Sequence, residues 1–222
     1  MNLDFLGSKK DAKLSFGING EEVDEHLVQL PFLFRNIKPP AKVLDIGSSG
    51  SPAALQLAML RYNVTSIDFQ DYDKKNQNLK SLKGDFNSYN FGNDRFDIVL
   101  AMNVIEYMGL QYYKKDELLD KQADIRAMTK AKELMNKGSQ IIFSAKYGIP
   151  DTITLSGKPF MKVYDDKALD VLLSTFHIDA IEYYMVADRK NVRQVPREEA
   201  AGSRYYHSSG TYGFVCVSAT KL

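Results

Sequence analysis

The feature that most constrains this 222-residue chain is a short apolar run that ends in a glycine turn and leads into a helix. Residues 43–46 (Val-Leu-Asp-Ile) form the run, and residues 47–50 (Gly-Ser-Ser-Gly) form the turn. Ser51 is a preferred N-cap residue and Pro52 suits the first helical position. The spacing therefore predicts a strand, a tight turn and a helix, which is the opening unit of an α/β fold.

Strands and helices continue to alternate behind this unit. The sequence pattern predicts strands at residues 64–68, 79–84, 96–101 and 140–144 and helices at residues 117–136 and 165–176. Gly138 is expected to end the first of these helices, since glycine is common directly after a helix. Such alternation indicates βαβ units, so we expect a doubly wound, mostly parallel sheet with helices on both faces. The last two strands, residues 178–186 and 212–219, are joined by a polar segment without a helical pattern, which predicts an antiparallel final strand.

The segment before the first strand is predicted to be helical. Residues 21–29 have a helical pattern, and Pro31 would break a continuous helix and start a second one at residues 31–36. We therefore expect residues 1–38 to form an N-terminal helical lid or extension, and residues 39–222 to form the main domain.

Charge and cysteine content exclude several function classes. The 29 lysines and arginines nearly cancel the 28 aspartates and glutamates, so net charge does not favour binding to nucleic acid or to anionic lipid. The single cysteine, Cys216, excludes an internal disulfide and a cysteine-based zinc site, and the three histidines lack metal-ligand spacing, so no metal is expected. Without a secretory signal pattern or an apolar run long enough to cross a bilayer, we expect a cytoplasmic protein without membrane contact.

The turn at residues 47–50 is a candidate ligand site, because ligands of open α/β sheets bind at the carboxyl ends of the strands. Glycine lets a ligand approach the backbone closely, and the following helix start presents unpaired N–H groups. The spacing differs from the G-x-G-x-x-G of dinucleotide sites, which favours a ligand without a pyrophosphate. Asp68 and Phe69 end the second strand, where a carboxylate would accept hydrogen bonds from ribose hydroxyls; the alternative is an exposed strand-end aspartate.

Two further strand ends carry candidate residues. Asp85 is suited to accept a hydrogen bond from an adenine amino group and Phe86 to offer an apolar contact, although an ordinary surface turn remains the alternative. The buried strand at residues 96–101 leads to Asn103, followed by Glu106 and Tyr107 as candidate general bases. Both also have a structural interpretation, Glu106 as a helix-start carboxylate and Tyr107 as half-buried packing.

The ordered motifs DIGSSGSP, SIDF, KGDF and FDIVLAMNVIEYMG resemble the class I (Rossmann-like) S-adenosylmethionine-dependent methyltransferases over about residues 42–220. The resemblance implies a seven-stranded sheet of order 3-2-1-4-5-7-6, with strand 7 antiparallel, and S-adenosylmethionine as the cofactor. It also implies a set of cofactor-binding residues: Asp45, Gly47, Ser48, Ser49 and Gly50 on the methionine side, Asp68 with Phe69 at the ribose, Asp85 and Phe86 at the adenine, and Asn103 near the sulfonium. The family's usual second glycine is Ser49 here, and Gly50 is displaced by one position.

Longer segments resemble methyltransferases encoded with surface-polysaccharide and sugar-biosynthesis genes. We expect a small-molecule or glycan acceptor, methylated at a hydroxyl oxygen, because the fourth motif reads M-N-V-I and not the N-P-P-Y type of amide and nucleobase N-methyltransferases. The neutral charge argues against the alternative of a nucleic-acid methyltransferase, and the glycine spacing argues against an NAD-dependent oxidoreductase. A catalytically degenerate nucleoside-binding protein of the same fold stays open, because Ser49 departs from the motif and many relatives have histidine where Tyr107 stands. The sequence makes no prediction of the oligomeric state.

Overall fold

The computed structural model describes residues 25–39, 41–110, 119–206 and 210–222. Their helices are α1 (His26–Asn36), α2 (Ala53–Met59), α3 (Ala123–Glu133), α4 (Asp166–Leu173) and α5 (Arg197–Ala201). The strands are β1 (Lys42–Ile46), β2 (Asn63–Asp68), β3 (Leu79–Lys83), β4 (Phe96–Met102), β5 (Met135–Tyr147), β6 (Asp151–Leu155), β7 (Lys158–Val163), β8 (Phe176–Ala187), β9 (Asn191–Val195) and β10 (Tyr212–Lys221). Two single 3₁₀ turns, Ser48–Gly50 and Ile105–Tyr107, follow β1 and β4.

The main sheet confirms the predicted mostly parallel α/β architecture. Its order is β3-β2-β1-β4-β5-β10-β8-β9, and the first five of these strands pair in parallel. Strand β10 runs antiparallel to both β5 and β8, as predicted from the polar segment without a helical pattern before it. The parallel half directs the carboxyl ends of β1, β2 and β4 to one edge, where ligands of such sheets bind.

The predicted count of seven strands is wrong, because the sheet has eight strands among the described residues, and its order departs from 3-2-1-4-5-7-6 by one strand added at the edge beside strand 6. The extra strand, β9, pairs antiparallel with the end of β8 at the edge of the sheet. Asp188 and Arg189 both adopt positive φ angles and lie in the turn that reverses the chain between β8 and β9. The polar segment after residue 187 therefore contains a strand and the short helix α5, and β9 was missed because it has only five residues and two apolar ones.

A second hairpin was also absent from the prediction. Strands β6 and β7 pair antiparallel outside the main sheet, joined by Ser156 and Gly157 with φ angles of +52° and +75°. Small residues with positive φ are typical of tight hairpin turns, so the Ser-Gly pair was the available sequence signal. The hairpin packs on the Ile105–Tyr107 turn, where the ring of Phe160 contacts that of Tyr107.

The predicted helix break at Pro31 is wrong, because helix α1 is continuous from His26 to Asn36. Proline removes one hydrogen bond to the carbonyl of Leu27, and both residues lie on the exposed face of the helix. The buried face, with Phe32 and Leu33 fully enclosed, holds the helix on the sheet. The packing of this buried face therefore outweighs the tendency of proline to break a helix.

The predicted helix at residues 117–136 is shorter than expected in its described part and ends at Glu133. Met135 is already part of β5 and pairs with Phe96 of β4. The register between the two strands then shifts before Ile98 pairs with Gln140. Gly138, expected to end the helix, lies instead in this irregular stretch with a φ of +78°. Helix α4 likewise ends at Leu173, and Asp165 caps it by accepting a hydrogen bond from Ala168 N.

The core has two parts, one on each face of the sheet. Helices α3 and α4 cover the face that includes Leu44 and Val217, and helices α1 and α2 cover the face that includes Val43. Cys216 is fully buried on the second face, as expected for a small apolar residue. Among the described helices, none is long and apolar enough to span a bilayer.

Candidate active site

The predicted motifs lie along one edge of the sheet. Asp45 of β1 is in register with Ser66 of β2 and Leu100 of β4, so the three strands end together. Main-chain hydrogen bonds fix the turns that follow: Gly47 N donates to Ile67 O (2.9 Å) and Gly84 N to Asp68 O (2.8 Å). The structure thus brings the first three motifs to neighbouring positions.

The turn after β1 requires glycine at its first position. Gly47 has a φ of +76°, and a Cβ atom there would lie 2.4 Å from Val104 Cγ2. Gly50 has neither constraint, because no atom lies within 4 Å of its Cβ position. Ser49 and Gly50 are exposed, whereas Ser48 is fully buried. Helix α2 then begins at Ala53, whose N–H donates to Ser51 Oγ at 3.1 Å.

Three buried oxygens beneath this turn have no hydrogen-bond partner in the part of the chain that the structure describes: Asp45 Oδ2, Ser48 Oγ and Ser66 Oγ. Asp45 is only 1% exposed, and burial raises its pKa to about 8, with a further contribution from the nearby charge of Asp68. Unsatisfied buried polar atoms are costly and call for an explanation. A ligand that supplies hydrogen-bond donors and positive charge would satisfy them.

Asp68 already serves the turn with both of its carboxylate oxygens. Oδ2 accepts a hydrogen bond from Ser49 N (3.0 Å) and Oδ1 accepts one from Gln70 N (2.8 Å). The side chain is half-exposed, so each oxygen keeps a further lone pair for a ligand hydroxyl. Phe69 follows with 48% of its surface exposed.

The third motif contributes one half-exposed and one buried side chain. Asp85 Oδ1 accepts from Asn87 N at 3.0 Å and remains half-buried. Phe86 is 4% exposed and packs against Phe91, with the ammonium group of Lys130 5.3 Å from the centre of its ring. Asp85 therefore lies at the edge near β3, while Phe86 faces the core.

Asn103, after β4, is part of a buried polar network. Its φ of +50° is a conformation that asparagine tolerates better than most residues. The main-chain N–H donates to Ser144 Oγ (3.0 Å), and Nδ2 donates to Glu25 Oε2 (2.7 Å). Glu25, directly before α1, also accepts from Gln29 Nε2 at 3.1 Å. The N-terminal segment thereby reaches the end of β4.

Lys146 of β5 is the cation of this network. Its Nζ lies 2.7 and 2.9 Å from the two oxygens of Glu25 and 3.9 Å from Glu106 Oε1. Glu106 is fully buried, and neither of its carboxylate oxygens accepts a hydrogen bond from a side chain of the described residues. Burial raises the pKa of Glu106 to about 7, although the nearby Lys146 opposes this shift. A carboxyl group with a pKa near neutrality is suited to accept a proton.

Tyr107, the second candidate base, is half-buried against the β6–β7 hairpin. Its ring centre lies 5.3 Å from that of Phe160. Behind the turn, the hydroxyl of Tyr164 donates to Asp124 Oδ2 (2.7 Å) and also lies 3.2 Å from Ile105 O. The hairpin and its flanking tyrosine therefore hold the turn that carries Glu106.

Sequence reasoning missed Glu25 and Lys146. Lys146 is a lysine inside the otherwise apolar segment of β5, which was an available signal of a buried charge with a partner. Glu25 lay within the predicted N-terminal helix and nothing in its neighbourhood distinguished it. His207, one of the three histidines of the sequence, lies outside the described residues. Within the described part of the chain, no group of three or more His, Cys, Asp or Glu side chains is arranged to hold a metal ion.

A comparison with known protein families finds one match. Residues 44–143, from β1 through most of β5, match a protein family described as methyltransferase domain. The matched segment, 100 of the 222 residues, is therefore similar to a methyltransferase domain. No curated protein matches the chain in sequence.

Solved methyltransferase structures share the fold. TehB from Haemophilus influenzae superposes with a TM-score of 0.61 at 18% identity over 89% of this chain, which spans 62% of TehB. The 1,6-didemethyltoxoflavin-N1-methyltransferase of Burkholderia thailandensis, solved with bound 1,6-didemethyltoxoflavin and S-adenosylhomocysteine, superposes with a TM-score of 0.61 at 14% identity over 86% of this chain and 76% of its own. The N-methyltransferase NodS of Bradyrhizobium japonicum WM9, solved with S-adenosylhomocysteine, gives 0.56 at 13% identity, with coverages of 89% and 85%. At these identities the likeness concerns the fold.

Proposed function

We propose that this chain transfers the methyl group of S-adenosylmethionine to a hydroxyl oxygen of a small molecule or glycan, with Glu106 as the proton acceptor. The observation that carries the proposal is a fully buried carboxylate that follows the end of β4, in the turn after Asn103, and that accepts no hydrogen bond from a side chain of the described residues. Burying a carboxylate that lacks such partners is costly, and groups of this kind cluster at functional sites.

The cofactor's place is supported by the turn after β1. The unpartnered oxygens of Asp45, Ser48 and Ser66 would meet the charged amino-acid portion, and Asp68 with Phe69 would meet the ribose and its surroundings. We assign Asp85 and Phe86 to the adenine side and Asn103 to the sulfonium side, as the family resemblance implies. When bound, the cofactor supplies a methyl group on a positively charged sulfur.

Glu106 then has a defined chemical role. An acceptor hydroxyl forms its new oxygen–carbon bond as the carbon–sulfur bond breaks, and it loses a proton in the process. The carboxylate form of Glu106 takes this proton, and a pKa of about 7 keeps both forms accessible near neutral pH. Tyr107 is assigned a packing role toward the acceptor rather than the role of base, because its ring lies against Phe160.

The N-terminal region acts in this proposal as the lid over the acceptor side. Glu25 covers Asn103 and Lys146, while the other end of α1 is tied to β8 by Arg35 and Glu182 at 2.8 Å. Aromatic rings of Tyr107 and Phe160 would form one wall for a sugar or ring-bearing acceptor. Opening the first turn of α1 would admit the acceptor to the buried carboxylate.

The test is a screen of sugar nucleotides and aromatic alcohols with methyl-labelled S-adenosylmethionine. We expect label transfer by the wild-type chain and a loss of about a hundredfold or more in kcat for Glu106→Gln, the range typical of a general base. The exposed α3 residue Glu133 provides the control, and Glu133→Gln should be as active as the wild type. Binding of S-adenosylhomocysteine without any transfer would indicate a degenerate binding protein, and transfer to tRNA alone would indicate a nucleic-acid methyltransferase.

A further inference from the structure

One ammonium group serves two buried carboxylates in this site. Lys146 contacts Glu25 at 2.7 Å and lies 3.9 Å from Glu106, and all three side chains are at most 7% exposed. With every group ionised the cluster would carry a net charge of −1. A buried site disfavours an uncompensated charge, so the three groups together hold one extra proton most favourably.

Hydrogen bonds decide which carboxylate keeps the charge. Glu25 accepts hydrogen bonds from Lys146, from Asn103 Nδ2 at 2.7 Å and from Gln29 Nε2 at 3.1 Å. Glu106 accepts none from the described side chains. Although burial opposes it, the charge of Lys146 and the hydrogen bonds from Lys146 and Asn103 lower the pKa of Glu25, whereas burial raises the pKa of Glu106 to about 7. The extra proton therefore belongs to Glu106.

The other titratable groups around Glu106 do not compensate its charge. Tyr164, after β7, faces the turn and donates a hydrogen bond to Asp124, which also pairs with Lys162 at 2.8 Å. Tyr212 of β10 lies below Lys146, whose Nζ is 5.2 Å from its ring centre. Tyr107 is adjacent in sequence and packs against the hairpin. Among the described residues, Lys146 is the one cation within 4 Å of the Glu106 carboxylate.

We propose that Glu25 and Lys146 are positioning residues that couple the lid to the proposed base: Glu106 holds a proton while Glu25 is docked on Lys146 and ionises when Glu25 leaves. This inference rests on the proposed function for the role of Glu106. When the first turn of α1 lifts, Lys146 loses its 2.7 Å partner and its charge becomes available to Glu106. Opening the site to an acceptor would therefore also generate the carboxylate that accepts the acceptor's proton.

The test is a carbon-13 NMR titration of the full chain labelled at the glutamate side-chain carboxyl carbons. The signal of Glu106 is identified as the one missing from Glu106→Gln. We expect Glu25→Gln to lower the titration midpoint of Glu106 by about one pH unit or more, the usual effect of an unshared opposite charge at this range. Lys146→Met should raise the midpoint, and if that variant does not fold, Glu25→Gln decides the question alone.

The matched control is Glu182→Gln, which removes a carboxylate paired with the opposite end of α1. We expect it to leave the Glu106 midpoint unchanged. An unchanged midpoint in Glu25→Gln, or an equal shift in Glu182→Gln, would overturn the coupling. Because the titration needs neither cofactor nor acceptor, it separates the two proposals: full methyl transfer by Glu106→Gln would reject the base while leaving the coupling result intact.

Discussion

The main-chain N–H of Ser49 donates a 3.0 Å hydrogen bond to the carboxylate of Asp68, which ties the turn after β1 to the end of β2. Asp68 thus holds the shape of the proposed cofactor turn and also offers free lone pairs to a ribose. Loss of this carboxylate should therefore affect cofactor binding by two routes, one structural and one direct.

We expect Asp68→Ala to weaken S-adenosylhomocysteine binding by about tenfold or more, since a hydrogen bond to a charged group contributes about 1.5–3 kcal/mol. Thermal melting with increasing ligand concentration measures this, because a ligand stabilises the folded state by mass action. The control is Asp71→Asn, at an exposed residue that follows Asp68 on the loop after β2 and pairs with Lys83 of β3. This variant should bind S-adenosylhomocysteine as the wild type does. An undiminished ligand-dependent shift in Asp68→Ala would reject the ribose assignment.

Gly47→Ala should destabilise the chain by about 1–3 kcal/mol, because a residue with a side chain is strained at a φ of +76° and its Cβ would overlap Val104. Urea denaturation measures the free energy of unfolding. The matched control is Gly50→Ala three residues later, where the Cβ meets open space, so a change within about 0.5 kcal/mol is expected. Equal losses in the two variants would contradict the steric argument.

Much of the fold could be predicted because local patterns and burial agree in the parallel half of the sheet. The apolar runs of β1 and β4 are buried almost throughout, so their sequences are unambiguous. Pro31 and Gly138 were misinterpreted because tertiary packing prevails over local propensity: a buried face carries α1 through its proline, and β5 begins before the glycine. Strand β9 gave too weak a pattern to be recognised.

The candidate site was predictable only where it follows strand ends. Asp45, Asp68 and Asn103 come directly after or at the end of apolar strands, so the sheet's geometry places them at one edge. The contact of Glu25 with Lys146 joins residues 121 positions apart, and no local pattern encodes such a pairing. Whether a carboxylate like Glu106 holds a proton depends on these distant neighbours, so its chemistry was beyond reach of the sequence.

Cofactor binding should release a proton from Asp45. Its pKa of about 8 means that it is mostly protonated at neutral pH, and the positive charge of S-adenosylmethionine would favour the ionised form. Affinity should therefore rise as pH increases toward about 8. Calorimetric titration in buffers of different ionisation enthalpy counts the protons, and Asp45→Asn should release none. Equal proton release by the variant and the wild type would show that another group titrates.

Tyr164→Phe should destabilise the chain by about 1–3 kcal/mol, because it removes the hydroxyl that donates to the buried Asp124 and lies 3.2 Å from Ile105 O. Since Ile105 begins the turn that carries Glu106, methyl transfer should fall as well. The comparison is Tyr206→Phe, at a tyrosine that is 52% exposed, where little change in the free energy of unfolding is expected. Urea denaturation measures the free energy of unfolding of both variants. Equal losses of stability in the two would contradict the role given to Tyr164.

Glu106→Gln should reduce the dependence of stability on pH. The folded-state pKa of about 7 lies above the ordinary value of 4.5, so the protonated carboxyl stabilises the fold at low pH and this contribution is lost as pH rises through about 7. Glutamine cannot ionise, so between about pH 5 and about pH 9 the free energy of unfolding of the variant should fall by about 2–3 kcal/mol less than that of the wild type. Urea denaturation at the two pH values measures the difference, with Glu133→Gln as the exposed control that should follow the wild type. Parallel pH curves for Glu106→Gln and the wild type would mean that Glu106 is ionised throughout this range and that the proton resides elsewhere.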